Sequence, residues 1–206
     1  MIFRWSVIMF LAVACDQTIA ASGPVGVDHR IAFDQSGIWG RQHQLNVQYA
    51  SAITVIGSAL YLGENSRLGK TSYAAVDSML LAGAASAGLK LLTQRPRPRT
   101  LDDPDVWGAG SKHKSFPSGE VAHITAVVSP FIYEYQKDQP TVWALSLLPA
   151  YVGLARMKSH AHWQTDVLAG VALGSYIGHL AWKNDSPWSI QLIGNTINFN
   201  FRKALP

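Results

Sequence analysis

Five apolar segments of helical length, at residues 46–62, 72–92, 119–136, 141–157 and 164–182, constrain this chain more than any other feature. None shows the polar/apolar alternation of a half-buried strand, and each is long enough for a helix. They predict an all-α fold, a bundle of about five to six helices with its working residues at one end. Pro149 is expected to kink or break the fourth segment, because its ring removes an N–H and crowds the preceding turn. Residues 22–44 are polar and read as an irregular lead-in, and 45–183 as the helical domain. The tail, 184–206, contains SIQLIGNTINFNFRK, which alternates well enough to predict a short strand or hairpin.

The first 21 residues have the layout of a secretory signal peptide: Arg4, an apolar run from Trp5 to Ala14, then small residues up to Ala21. An uncleaved anchor helix and lipid attachment at Cys15 are the other two readings. Cys15 is the only cysteine, so no intramolecular disulfide and no cysteine-based zinc site can form. Charged residues are only 15% of the chain, yet mean hydropathy is a modest +0.09. Asp77, His123 and His179 interrupt the apolar segments, and 141–157 is short for a span of roughly 20 residues. The segments therefore read as a helical domain outside the bilayer but in contact with it, and whether any helix crosses stays open. Small residues such as Ala84, Ala85, Gly88, Gly170 and Gly174 suit close helix packing in either setting. A net charge of +4, with no basic run interleaved with aromatics, gives no footing for nucleic-acid binding.

Three clusters could carry chemistry. Lys90 closes an apolar segment and is followed by Arg95, Arg97 and Arg99 in KLLTQRPRPR. Cations at a helix C-terminus suit the dipole, which is the bland account. SFPSGEVAH, Ser115 to His123, places Ser118-Gly119 at the head of a helix. That is either an ordinary serine N-cap or an anion site built on free N–H groups. ARMKSHAHWQTD places His162 four residues before Asp166. If Trp163 opens a helix, the two share one side. The carboxylate can then hold one imidazole nitrogen protonated and leave the other free to attack. His160 has no assigned role and reads as a loop residue. Together the clusters offer fixed positive charge, a helix N-terminus and a His–Asp pair, which is what phosphoryl transfer needs.

The order K-x6-RP, PSG and R-x5-H-x3-D resembles the type 2 phosphatidic acid phosphatase superfamily, over residues 90–166. That superfamily includes membrane lipid phosphatases, periplasmic class A acid phosphatases and vanadium haloperoxidases. The resemblance implies that Lys90, Arg97, Arg156, the Ser118 hydroxyl and the Gly119 N–H bind phosphate oxygens. It implies that His162 is the nucleophile, forming a phosphohistidine, and that Asp166 orients it. No metal and no cofactor are implied; phosphate or vanadate would bind as the oxyanion. The implied substrate is a phosphorylated lipid or a small phosphate ester, on the outer side of a bacterial inner membrane.

Two positions depart from the family pattern. Ala155 stands where a Ser usually precedes Arg156, and Glu120 stands where a His, the general acid, usually follows PSG. A carboxylic acid can protonate a leaving group if its pKa is raised, but neighbouring arginines would keep it ionised. Three readings follow. Glu120 is the acid, or His123 one turn along substitutes, or the site binds phosphate and turns over slowly. The missing His and the short chain also weigh against a haloperoxidase.

Overall fold

The computed structural model describes residues 22–184 and the backbone of residues 188–193 and 196–201. The two processing readings and Cys15 lie outside the described residues. The chain folds as a helical bundle of α1 (Arg41–Leu62), α2 (Arg67–Thr93), α3 (Gly119–Tyr135), α4 (Leu147–Lys158) and α5 (Gln164–Lys183). It closes with an antiparallel hairpin of β1 (Trp188–Ile193) and β2 (Thr196–Phe201), in the stretch whose alternation predicts it.

Three boundaries differ from the sequence expectation. The first helix begins at Arg41, inside the stretch read as lead-in. Its first turns are polar because they face the functional end of the bundle rather than the core. The second begins at Arg67, where the Ser66 hydroxyl accepts the Gly69 N–H at 3.0 Å and caps the helix. The fourth segment does break, but not at Pro149. A 3₁₀ turn over Pro140–Ser146 gives way to α4 at Leu147, so Pro149 occupies the first turn, where a missing N–H costs nothing.

The core is built around α3. Val55, Met79, Val127 and Ile132 form one cluster, and Val121, Ile124, Val152, Met157 and Val167 form another nearer the functional end. Glycines let α5 lie against α3. A Cβ on Gly174 would stand 2.4 Å from the Ala122 carbonyl oxygen, and one on Gly170 would stand 2.7 Å from that of Ser118. Gly88 does not serve this purpose, since a Cβ there would meet nothing within 4 Å. The stretch ahead of α1 is pinned: the His29 N–H and C=O bond the Gln164 side chain at 3.1 and 2.9 Å.

Two helical stretches, 41–65 and 67–93, are long and apolar enough to cross a membrane, and only 11% and 33% of their most apolar windows are buried. Ile53, Tyr61, Leu81 and Leu92 are all exposed along them.

Candidate active site

The up-and-down course of the bundle brings the starts of α1, α3 and α5 and the ends of α2 and α4 to one end. Each of the three sequence clusters contributes one of these termini. α2 stops where Arg95 precedes Pro96, which disfavours a helical residue before it, and Gln94 turns left-handed at φ 44°. The chain then runs extended, burying Arg95 completely and leaving Arg97 half-buried.

Ser118 is the N-cap residue of α3, but its side chain makes no capping bond. The ordinary N-cap reading is therefore not what this serine does. Its N–H donates to the Asp166 carbonyl at 2.8 Å, which ties the head of α3 to that of α5. Its hydroxyl is buried without a partner. A buried polar atom left so is uncommon and suits a ligand. Gly119 follows, with room for a Cβ only 3.2 Å from Ser86 Oγ and 3.8 Å from Lys90 Nζ. The Lys90 ammonium bonds the Pro117 carbonyl, so it sits at the same turn.

His162 lies just ahead of α5, and Trp163 is its N-cap. The His162 Nδ1 is 3.5 Å from Asp166 Oδ2, with both side chains almost fully buried. The carboxylate of Asp166 is held from three further directions. Oδ1 accepts from Arg95 Nη1 at 2.7 Å, and Oδ2 accepts from Ser115 Oγ at 2.5 Å and from the Trp163 N–H at 2.9 Å. The capping role that a first-turn Asp would ordinarily have is thus present together with the contact to His162. Burial presses His162 down to about 4, against the pull of Asp166 and with the charges of Lys90 and Arg156 adding to the effect. At neutral pH the imidazole is uncharged, as a nucleophile must be. Burial alone would raise Asp166, but His162, Arg95 and Ser115 hold it below its ordinary 3.8.

Glu120 is engaged in its own network. Its Oε2 accepts from Arg41 Nη1 at 2.7 Å and Gln48 Nε2 at 3.1 Å, and lies 3.3 Å from Arg156 Nε. Arg156 also donates to Gln44 Oε1 at 3.2 Å. Burial pushes the Glu120 carboxyl up, but the Arg41 hydrogen bond and the Arg156 charge outweigh it and hold it below 4.5. His123, one turn along α3, is lowered by burial, with Glu120 pulling the other way, and its Nε2 is buried without a partner.

Lys90, Arg97, Arg156, Glu120, Asp166 and His162 lie close enough for their charges to act on one another. These six residues, drawn from all three motifs, therefore meet at one end. His160 is a packing residue, bonding the Ile31 carbonyl at 2.8 Å and meeting Phe33 edge-on. Among the described residues no group of three His, Cys, Asp or Glu side chains converges as a metal site requires.

Sequence reasoning missed Arg41, Gln44, Gln48, Ser115 and Asp28. Arg41 and Gln44 sit in what reads as a loop and Gln48 in what reads as a plain helix, and no local pattern marks any of the five. Asp28 accepts from Arg95 Nη2 at 2.6 Å, Thr165 Oγ1 at 2.6 Å and the Thr165 N–H at 2.8 Å.

The profile of the PAP2 superfamily matches residues 73–188, a span that includes all three motifs. The lipid A 1-phosphatase of Porphyromonas gingivalis is 31% identical over 130 residues, which cover 61% of this chain and 26% of that protein. The chain thus spans about a quarter of the length of that curated relative. The crystal structure of Aquifex aeolicus LpxE is similar at a TM-score of 0.45 and 21% identity, covering 69% of this chain and 85% of that one.

Proposed function

The chain belongs to the PAP2 superfamily, and on that footing we propose that it hydrolyses a phosphomonoester or diphosphate, a lipid phosphate in preference, through a phosphohistidine at His162 and without a metal. The observation that carries this is the buried, unpartnered Ser118 hydroxyl at the head of α3, with Lys90 at the same turn and the uncharged His162 close by. Helix N-termini and fixed cations together neutralise the charge on a transferring phosphoryl group.

In this reading Lys90, Arg97, Arg156, Ser118 Oγ and the Gly119 N–H hold the phosphate oxygens. Asp166 faces Nδ1 of His162, so Nε2 attacks phosphorus while the bond to the leaving oxygen breaks. Glu120 supplies the proton to that oxygen. Water then attacks phosphorus, the P–N bond breaks, and the water's proton returns to Glu120. An ionised Glu120 cannot donate, but a bound phosphate competes for Arg156 and adds negative charge beside the carboxyl. Both effects raise its affinity for a proton. Substrate binding thereby charges the acid.

A lipid substrate is supported by the apolar exterior of 41–65 and 67–93. Twenty-five helical residues reach about 37 Å, more than the roughly 30 Å of a bilayer's hydrocarbon. The name of the P. gingivalis relative, a lipid A 1-phosphatase, supports the 1-phosphate of lipid A as the lipid to try first. Export to the periplasmic side of an inner membrane is the matching location, supported by the signal-like layout of residues 1–21.

A second reading is a phosphate-binding relative that turns over slowly, favoured by the two arginines on Glu120. The test is phosphate release from lipid A 1-phosphate, phosphatidate and p-nitrophenyl phosphate by the wild type, His162→Ala, Glu120→Gln and Glu120→His. The phosphatase reading expects an active wild type, a dead His162→Ala and a crippled Glu120→Gln. A silent wild type with an active Glu120→His would establish the binding protein instead.

A further inference from the structure

Arg95 is a guanidinium with no exposed surface between two carboxylates that have none either. It reaches Asp28 at 2.6 Å through Nη2 and Asp166 at 2.7 Å through Nη1. Nε and Nη2 also donate to the Pro104 carbonyl, and the Trp107 ring lies 4.5 Å from Cζ. Nothing in this arrangement touches a phosphate site directly. Burying three charges is costly unless their geometry is fixed and every donor is satisfied. Here the geometry is fixed: a planar fork bridges two carboxylates, and Thr165 closes the ring by bonding both Arg95 and Asp28 through its hydroxyl.

The charge count in this cluster is uneven. Two carboxylates against one guanidinium leave one negative charge in excess, and the open side of Asp166 faces His162 Nδ1. Were Asp28 absent, Arg95 would serve Asp166 alone and draw its charge away from the imidazole. Were Arg95 absent, Asp166 would lose the bond that fixes Oδ1 and with it the aim of Oδ2. Asp28 lies in the lead-in, outside the 73–188 span that the family shares. Its loop is itself held, by the Ser22–Asp28 backbone pair and the Gly23 N–H on Asp105 at 2.9 Å.

We propose that Asp28 and Arg95 are positioning residues for His162. They act through Asp166 to keep the proton on Nδ1 and leave Nε2 free to attack. The catalytic part of this rests on the phosphohistidine reading above. The tautomer part does not, which separates the two in experiment.

The test uses the full chain, with 15N-labelled histidine, as wild type, Asp28→Asn, Arg95→Gln and the double variant. At neutral pH the 15N shifts of His162 report which ring nitrogen carries the proton, with or without catalysis. The wild type is expected to hold the Nδ1–H tautomer and the single variants a mixture. Removing the partner that orients a metal-ligating histidine costs about 10–100-fold; by the same orienting logic kcat should fall by about that order here while KM stays near wild type. Acting as one unit, the two changes should be non-additive, the double variant losing no more than the worse single. Asp28→Asn keeps the shape of the side chain and serves if Arg95→Gln fails to fold. A folded Asp28→Asn with the wild-type tautomer and wild-type kcat would overturn the proposal. So would losses in the single variants that multiply in the double while the tautomer stays put, since that is what mere loosening of the fold would give. A wild type with the Nδ1–H tautomer but no phosphatase activity would remove the proposed reaction and leave the positioning network standing.

Discussion

Glu120 and Arg156 are joined across the site, Oε2 to Nε at 3.3 Å, so the residue after Pro-Ser-Gly is already paired with a cation that the proposed reaction assigns to the phosphate. In that reaction the substrate displaces the pairing. The same contact sets the pH behaviour. In the free site Glu120 is held below 4.5 and His162 at about 4. The proposed reaction needs His162 without its proton and Glu120 with one. Above about pH 4 His162 is ready, but the protonated share of Glu120 falls about tenfold for each further unit. The kcat/KM profile, corrected for the substrate's own ionisation, should therefore be highest in the acid range and fall toward neutrality. Glu120→His should move the falling limb up, toward the ordinary range of an imidazole. A limb that ignores this substitution would remove Glu120 from the role of acid.

Arg41 gives an independent handle on the same group. It bonds Glu120 at 2.7 Å yet is itself nearly half exposed. Arg41→Gln should leave stability within about 0.5 kcal/mol, as surface changes usually do. It removes the hydrogen bond and one of the charges that lower Glu120, so the falling limb should shift up. An unmoved limb in kcat/KM would mean that Arg156 alone keeps the carboxyl ionised.

His162 also writes itself into stability. The unfolded chain protonates it near 6.5 and the folded chain near 4. Between those values the unfolded state holds the extra proton, so stability rises with pH across that window and falls as the solution is acidified. The full effect is about 3 kcal/mol. Urea unfolding at pH 7 and pH 4 should show the wild type losing about that much more than His162→Gln. Equal losses in the two proteins would mean that the buried imidazole is protonated without penalty.

The sequence made some of this legible and hid the rest for physical reasons. Helix length and the lack of alternation locate the five helices, and alternation locates the tail hairpin. Spacing singles out Lys90, Arg97, Ser118, Arg156, His162 and Asp166, because their types and order match what phosphoryl transfer would need. Arg95 stands in the same Arg-Pro-Arg-Pro run as Arg97, and nothing local says that one is wholly buried and the other half open. Asp28 is invisible for a different reason: its partners are 67 and 137 residues away. Arg41, Gln44 and Gln48 read as loop or as plain helix because a helix wall facing a polar site carries no apolar stripe. Ser118 reads as a cap by type, and only the structure shows its hydroxyl unused.

The α3–α5 seam supplies the last prediction. A Cβ on Gly174 would stand 2.4 Å from the Ala122 carbonyl and 2.7 Å from Thr125 Cβ, and α3 backbone cannot step aside as a flexible side-chain tip can. Gly174→Ala should cost about 1–3 kcal/mol by overpacking. Gly88 makes the control. It lies inside α2 with nothing within 4 Å of a would-be Cβ, so Gly88→Ala should gain roughly 0.5–1 kcal/mol from helix propensity alone. Gly170→Ala should reach further, because its Cβ would press within 2.7 Å of the Ser118 carbonyl at the head of α3. That variant should lose phosphate affinity as well as stability, whereas Gly174→Ala, one turn farther from the site, should lose mainly stability. Thermal melts read the first quantity and inhibition by inorganic phosphate reads the second. If Gly170→Ala binds phosphate as the wild type does, the cradle at Ser118 does not depend on how closely α5 approaches it.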